Sequence, residues 1–269
     1  MVLALLHPAV QVGRGFSVHA STVVGILALG TLYEWGAHRL GRAPTVAQRA
    51  AFHVGLVTLF FTLNGPLHDL SDTYLFSAHM VQHLVLTLVV PPLLVSGTPG
   101  WLLRPLLAPR VVRAVAAWLT RPGTCFVLFN VVLAAWHLPP LYNLALAHHP
   151  VHIVQHLLFL AASVVMWWPL LSPLPELPRL SYPGQMLYCF LMTIPMSIVA
   201  IYVALADRLL YPAYAVAPRV WGITPLDDQH YGGLIMWIPG GLFFYGVMTV
   251  VFAKWAVRQS DDREAAQAA

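Results

Sequence analysis

The stretch LFSAHMVQHLVLTLVVPPLLVSGT, residues 75–98, decides the fold of this 269-residue chain. It contains no Asp, Glu, Lys or Arg, and it is longer than the roughly 20 apolar residues that a transmembrane helix needs. Near its start, His79 and His83 are four residues apart, so an α-helix places both imidazoles on one face, one turn apart. The stretch therefore predicts a membrane helix with two potential metal ligands near one end.

A second apolar segment repeats this pattern. The segment HIVQH, residues 152–156, matches HMVQH, residues 79–83, and we refer to the two as the HxxQH pairs. Strongly polar side chains at membrane depth are costly and usually face a bundle interior, a cavity or a partner. Four imidazoles from two helices therefore predict a metal or haem site, with the glutamine of each pair as a supporting hydrogen-bond partner. The plainer interpretation is hydrogen bonding between helices without a metal.

The composition is that of an integral membrane protein. Hydrophobic residues make up 59% and charged residues 9% of the chain, compared with about 25% charged residues in a soluble domain. The sequence predicts an all-α polytopic helix bundle in one domain, residues 1–259, followed by a disordered cytoplasmic tail, residues 260–269. An amphipathic segment, residues 101–118, predicts an interfacial helix between the third and fourth spans. The seven predicted transmembrane helices cover residues 18–37, 47–64, 75–98, 122–144, 151–171, 184–206 and 231–255.

The basic residues predict the orientation in the membrane. With seven spans, 11 of the 14 Lys and Arg residues fall on the same side as the C-terminus, and the positive-inside rule places that side in the cytoplasm. The N-terminus is then outside, in a bacterial plasma membrane. Because the basic residues occupy short loops between apolar spans, the sequence does not predict nucleic-acid binding.

Most of the 13 histidines fall toward the outer side in this orientation, and only His38 and His53 belong to the cytoplasmic half. Imidazoles suit copper, zinc and iron, and the thioether of Met80 suits copper(I). Asp228 has a second interpretation, as a cap at the positive N-terminal end of the seventh helix. The strongest candidate metal ligands are His79, His83, His152 and His156, and the further candidates are His137, Asp228, His230 and Met80.

Several short motifs resemble one known family. They are NGPLH (64–68), FSAHMVQH (76–83), PPLL (91–94), AWHLP (135–139), HIVQH (152–156), WWP (167–169), DQ (228–229) and GGLIMW (232–237). In this combination the chain resembles the cytochrome c oxidase assembly factor CtaG of the multi-pass membrane type. A different, single-span protein that shares the CtaG name depends on a cysteine motif that this sequence lacks, so its chemistry is not transferred.

The resemblance implies a role in the maturation of a haem-copper oxidase, through the supply of copper. Combined with the histidines, it leads to the hypothesis of a non-enzymatic metallochaperone. Copper would be held by the paired histidines in an outer-leaflet cavity, with His137 and Asp228 as additional ligands or orienting groups. The ion would pass to an oxidase subunit that docks from the side within the lipid bilayer. The sequence does not decide between a monomer and a homo-oligomer.

Two other classes of function fit the same residues. A seven-helix membrane hydrolase would use the histidines and Asp228 to bind zinc and activate water, with Asp69 or Asp72 as a general base and a lipid as the substrate. A b-type haem protein would take one axial histidine from each of the two helices.

Overall fold

The computed structural model describes residues 16–268, and these residues form helices and loops with no strand. The all-α prediction is therefore confirmed for this part of the chain. The helices are α1 (Ala20–Arg39), α2 (Val46–Thr62), α3 (Pro66–Thr73), α4 (Phe76–Leu84), α5 (Val90–Gly97), α6 (Gly100–Leu103), α7 (Arg110–Leu119), α8 (Pro122–His137), α9 (Pro139–Ala147), α10 (His149–Leu171), α11 (Tyr182–Ala204) and α12 (Pro225–Ala268).

Four helical stretches of residues 16–268 are long and apolar enough to cross a membrane. They are Phe76–Gly97, which joins α4 to α5, and the helices α10, α11 and α12. The number rises to six if each of two bent pairs, α2 with α3 and α7 with α8, counts as one span. The chain is thus a multi-pass membrane protein with four to six candidate spans, against the seven predicted. When six spans are counted, the predicted span without a counterpart is the first, which corresponds to α1.

The predicted third span is one continuous stretch with a π-helical turn, Val85–Val89, between α4 and α5. Its cause is local, because Pro91 and Pro92 have no backbone N–H with which to continue the α-helical pattern. The Thr87 carbonyl, four residues before Pro91, instead accepts a hydrogen bond of 2.9 Å from the Trp167 indole N–H of α10. The prolines therefore leave a carbonyl that ties this span to α10.

Prolines also divide the predicted fourth span. α8 ends at His137 and α9 begins at Pro139, because the residue before a proline avoids the helical conformation. On the other side, α7 lies at 72° to α8 and buries none of its residues. The segment predicted as one interfacial helix consists of α6, a 3₁₀ turn at Arg104–Leu107 and α7.

The last helix, α12, begins between α4 and α11. A Cβ atom at Gly232 would lie 2.3 Å from the Phe76 ring, and one at Gly233 would lie 2.6 Å from the Ala204 backbone nitrogen. These glycines let α12 approach both neighbours closely. The helix continues through residues 260–268, which the sequence predicted to be disordered; alanine, glutamine and glutamate in this stretch are good helix formers.

Candidate metal centre

The two HxxQH pairs face each other where α4 meets α10. The ring centroids of His79 and His152 are 5.6 Å apart, and those of His83 and His156 are 5.7 Å apart. Within α4, the Nε2 atoms of His79 and His83 are separated by 2.8 Å. All four side chains are buried, with at most 8% of the surface exposed. The structure therefore brings together the four histidines that the sequence ranked first.

A carboxylate from α3 joins these histidines. Asp72 Oδ2 lies 3.3 Å from His152 Nδ1 and 3.3 Å from His68 Nε2. Two groups of three side chains have ligand atoms within 4.8 Å of one another, so each could hold a metal ion. They are His79, His83 and His156 in the first group, and Asp72, His79 and His152 in the second.

Gln82 orients the side chains next to Asp72. Its amide nitrogen donates to the Thr62 carbonyl at 2.8 Å and approaches His68 Nδ1 at 3.0 Å, while its oxygen accepts from the Ser71 hydroxyl at 3.0 Å. If His68 Nδ1 accepts this bond, the neutral ring carries its proton on Nε2 and points it at Asp72. The predicted supporting role of this glutamine thus acts on His68 and not on the two histidines of its own pair.

Several imidazole nitrogens in the centre have no hydrogen-bond partner among the described residues. They are His83 Nδ1, His137 Nε2, His152 Nε2 and His156 Nε2. A buried polar atom without a partner is rare and costly, and a neutral imidazole with a free lone pair is able to bind a metal ion. His137 shows the arrangement clearly, since its Nδ1 bonds to the Leu133 carbonyl at 2.7 Å and leaves Nε2 to face the interior. This donor set fits a late transition-metal ion such as copper or zinc.

A tyrosine from outside the membrane spans closes one side of the centre. The Tyr214 hydroxyl donates to the Ser71 carbonyl at 2.9 Å and lies 3.0 Å from the Tyr142 hydroxyl and 3.4 Å from His79 Nδ1. Burial raises the pKa of the Tyr214 phenol well above its ordinary value, so it remains a hydrogen-bond donor. This side chain fixes α3 next to α4.

Asp228 has a different place from the one predicted. One carboxylate oxygen accepts from the Phe76 backbone N–H at 2.6 Å, and the other accepts from the Ser77 backbone N–H at 3.1 Å and from the Ser77 hydroxyl. It belongs to neither group of potential ligands. Asp228 therefore caps α4, the helix that carries the first HxxQH pair, and not the helix on which it lies.

The other secondary candidates lie around the centre. His137 is buried, and its ring is 5.9 Å from that of His83. Met80 is also buried, but it packs in the apolar core and a Cβ atom at Gly232 would lie 3.2 Å from its Cγ. His230 is half-buried and uses Nε2 to contact the Ala206 carbonyl at 2.9 Å, so this nitrogen is already engaged.

A cavity of about 260 Å³ opens onto the centre from the side of α1, α2 and α10. Its lining is mainly apolar, and five histidines contribute to it. The polar part is lined by His19, His68, His149, His152 and His156. The centre is therefore reached through a partly apolar cavity between helices.

Asp72 and His68 were not among the candidate ligands, and Asp72 was considered only as a general base. A sequence signal existed, because the two residues are four apart on a short helix that starts at Pro66. Their position next to α10 depends on tertiary packing. For Tyr214, in a loop between α11 and α12, the sequence contains no comparable pattern.

Comparison with known proteins agrees with the resemblance. The chain is 26% identical to an uncharacterized protein of Mycobacterium tuberculosis over 262 residues, which is 89% of this chain and 40% of that protein. It is 27% identical to an uncharacterized protein of Mycobacterium leprae over 249 residues, or 86% of this chain and 38% of the relative. The chain thus spans about two fifths of the length of these curated relatives.

No solved structure shows a significant match to the chain. The sequence model of the cytochrome c oxidase caa3 assembly factor family, Caa3_CtaG, matches residues 31–258. This range includes both HxxQH pairs, Asp72 and Asp228. The chain therefore belongs to the cytochrome c oxidase caa3 assembly factor (Caa3_CtaG) family.

Proposed function

We propose that this assembly factor binds copper at the paired histidines and delivers it to a subunit of the oxidase. The observation that carries the proposal is the convergence of four buried imidazoles, several with unpartnered nitrogens, next to a carboxylate that contacts His152. Nitrogen donors suit copper, and family membership supplies an acceptor that contains copper. Copper is the cargo in this proposal, so the protein acts without catalysing a reaction.

The site must release its ion as well as bind it. A closed four-ligand cage is typical of a structural metal, whereas an accessible position permits ligand exchange. The cavity beside His152 and His156 supplies such access within the membrane region. The oxidase subunit would approach this side of α10 laterally.

The proposed topology has seven spans, with α1 as the first, and places the metal centre near the outer surface. Two observations support it. The centre lies at the start of Phe76–Gly97, and Arg104, Arg110 and Arg113 follow its other end. Basic loops favour the cytoplasmic side, and α7, which buries no residue, would lie in the interface there.

The test is the copper content of detergent-purified protein. We expect about one bound copper ion in the wild type and loss of stoichiometric copper in the double variant His79→Ala/His152→Ala, which removes one ligand from each helix. His38→Ala, an exposed histidine of α1, is the matched control and should retain copper. Full retention of copper by the double variant would contradict the proposal, and a Soret band in the absorbance spectrum would indicate haem instead.

A zinc-dependent membrane hydrolase remains the second candidate, because two observations favour it. Asp72 lies among the histidines, as a zinc ligand or a general base would. The adjoining cavity has apolar walls suited to an acyl chain. Zinc in place of copper in the purified protein, together with lipid hydrolysis that Asp72→Asn abolishes, would favour this function over copper delivery.

A further inference from the structure

The two groups of potential ligands overlap at one residue. We call Asp72, His79 and His152 the cavity-side position, and His79, His83 and His156 the inner position. His79 belongs to both. The centre is therefore not one compact set of ligands around a single point but two adjacent sets joined by one imidazole.

Each position has ligand spacings that suit one ion. Two ligands bound at about 2.0 Å in a tetrahedral arrangement lie about 3.3 Å apart. In the cavity-side position, Asp72 Oδ2 and His152 Nδ1 are separated by 3.3 Å. In the inner position, the Nε2 atoms of His79 and His83 are separated by 2.8 Å, so the two rings would move apart by about 0.5 Å to share an ion.

The two positions lie in a longer row of histidines that runs from the cavity into the bundle. Neighbouring ring centroids in this row are between 4.2 and 6.2 Å apart. The order along the row is His19, His68, His152, His79, His83 and His137. The first three rings line the cavity, whereas the last three do not. His156 of the inner position stands beside the row and also lines the cavity. The row therefore has an accessible end and an interior end.

The donors change along the row. The cavity-side position contains the carboxylate of Asp72, which attracts a cation that enters from the cavity. The inner position consists of imidazoles alone, and beyond it His137 offers a further unpartnered nitrogen. The two positions thus differ in charge, since one includes a carboxylate behind the cavity wall and the other has only neutral nitrogen ligands.

We propose that one metal ion occupies these two positions in turn, with His79 as the ligand that is kept during the exchange. Asp72 and His152 release the ion as His83 and His156 bind it, so two metal–ligand bonds break and two form. The imidazoles stay neutral and the carboxylate stays ionised, so the step transfers no electron and needs no net proton. A neutral imidazole has one nitrogen lone pair, so His79 can serve only one position at a time, and we expect one ion in total.

The inference rests on the proposed function, and variants that disable one position at a time test it. The probe is Cu(I), supplied anaerobically, with affinity measured by competition against a chromophoric chelator. We expect one equivalent in the wild type, and one equivalent in Asp72→Asn and in His83→Ala, each with affinity lowered by no more than about 10-fold. Asp72→Asn/His83→Ala together, and His79→Ala alone, should lower affinity by more than about 100-fold, because each leaves neither position complete.

Other results would overturn the two-position arrangement. If either single variant loses as much affinity as the double variant, the centre is one undivided site. Two equivalents in the wild type would exclude occupancy in turn. A wild type that binds no Cu(I) would overturn the proposed function itself, which distinguishes the two failures. His148→Ala, an exposed residue next to α10, is the control, and His83→Gln replaces His83→Ala if the latter does not give folded protein.

Discussion

The two HxxQH pairs have nearly the same sequence but different surroundings. In the α4 copy, the Gln82 amide makes hydrogen bonds to Thr62, His68 and Ser71. In the α10 copy, both amide atoms of Gln155 are buried and have no partner among the described residues. The start of α4 is capped by Asp228, while the N-cap residue of α10, His148, makes no side-chain capping hydrogen bond.

The comparison shows that the repeated motif places the histidines but does not determine the hydrogen bonds that hold each helix around them. Each copy places two imidazoles one turn apart, because that depends only on the helix. The hydrogen bonds around them come from other elements: α3 provides partners for Gln82, and the start of α12 provides the Asp228 cap of α4. We therefore expect substitutions in the supporting groups to affect α4 much more than α10.

The largest effect should come from removal of the α4 cap. Asp228→Ala leaves the backbone N–H groups of Phe76 and Ser77 without their buried acceptor, and hydrogen bonds to a charged group contribute about 1.5–3 kcal/mol each. We expect a loss of about 2–3 kcal/mol in the free energy of unfolding, measured by denaturant or thermal unfolding in detergent. Asp227→Ala, at an exposed neighbour on the same helix turn, should change it by less than about 1 kcal/mol. If Asp228→Ala and Asp227→Ala lower the free energy of unfolding equally, the Asp228 cap does not distinguish α4 from α10.

A smaller effect should follow from Gln82→Leu. This change removes both donors of the amide and leaves the Thr62 carbonyl and His68 Nδ1 without that partner. We expect a loss of about 1–2 kcal/mol in the free energy of unfolding, from the same unfolding measurement. A stability equal to that of the wild type would show that the hydrogen bonds around His68 do not support α4.

The smallest effect should come from the matched change in the other copy, Gln155→Leu. A buried amide without partners costs free energy, so an apolar side chain of similar size should be neutral within about 0.5 kcal/mol or slightly stabilising. If Gln155→Leu destabilises the protein as much as Gln82→Leu does, the Gln155 amide is hydrogen-bonded, and the two HxxQH pairs do not differ in this respect.

Local patterns account for much of what the sequence predicted. The helical class, the long apolar stretches and the pairing of histidines on one face follow from hydropathy and from the helical repeat. Proline chemistry explains both the break between α8 and α9 and the π-helical turn before Pro91. Only the break coincides with the end of a helix. The continuation of α12 beyond residue 260 was missed because its polar composition also suits a disordered tail.

The sequence by itself determined that this is a helical membrane protein and which histidines stand in pairs, because both properties depend on residues within one or two helical turns. Only the tertiary structure decided that Asp72 lies beside His152 and that Asp228, 152 residues from Phe76, caps α4. These contacts depend on which helices pack together. Hydropathy along the chain shows which face of a helix is buried, but it does not show which other helix packs against that face.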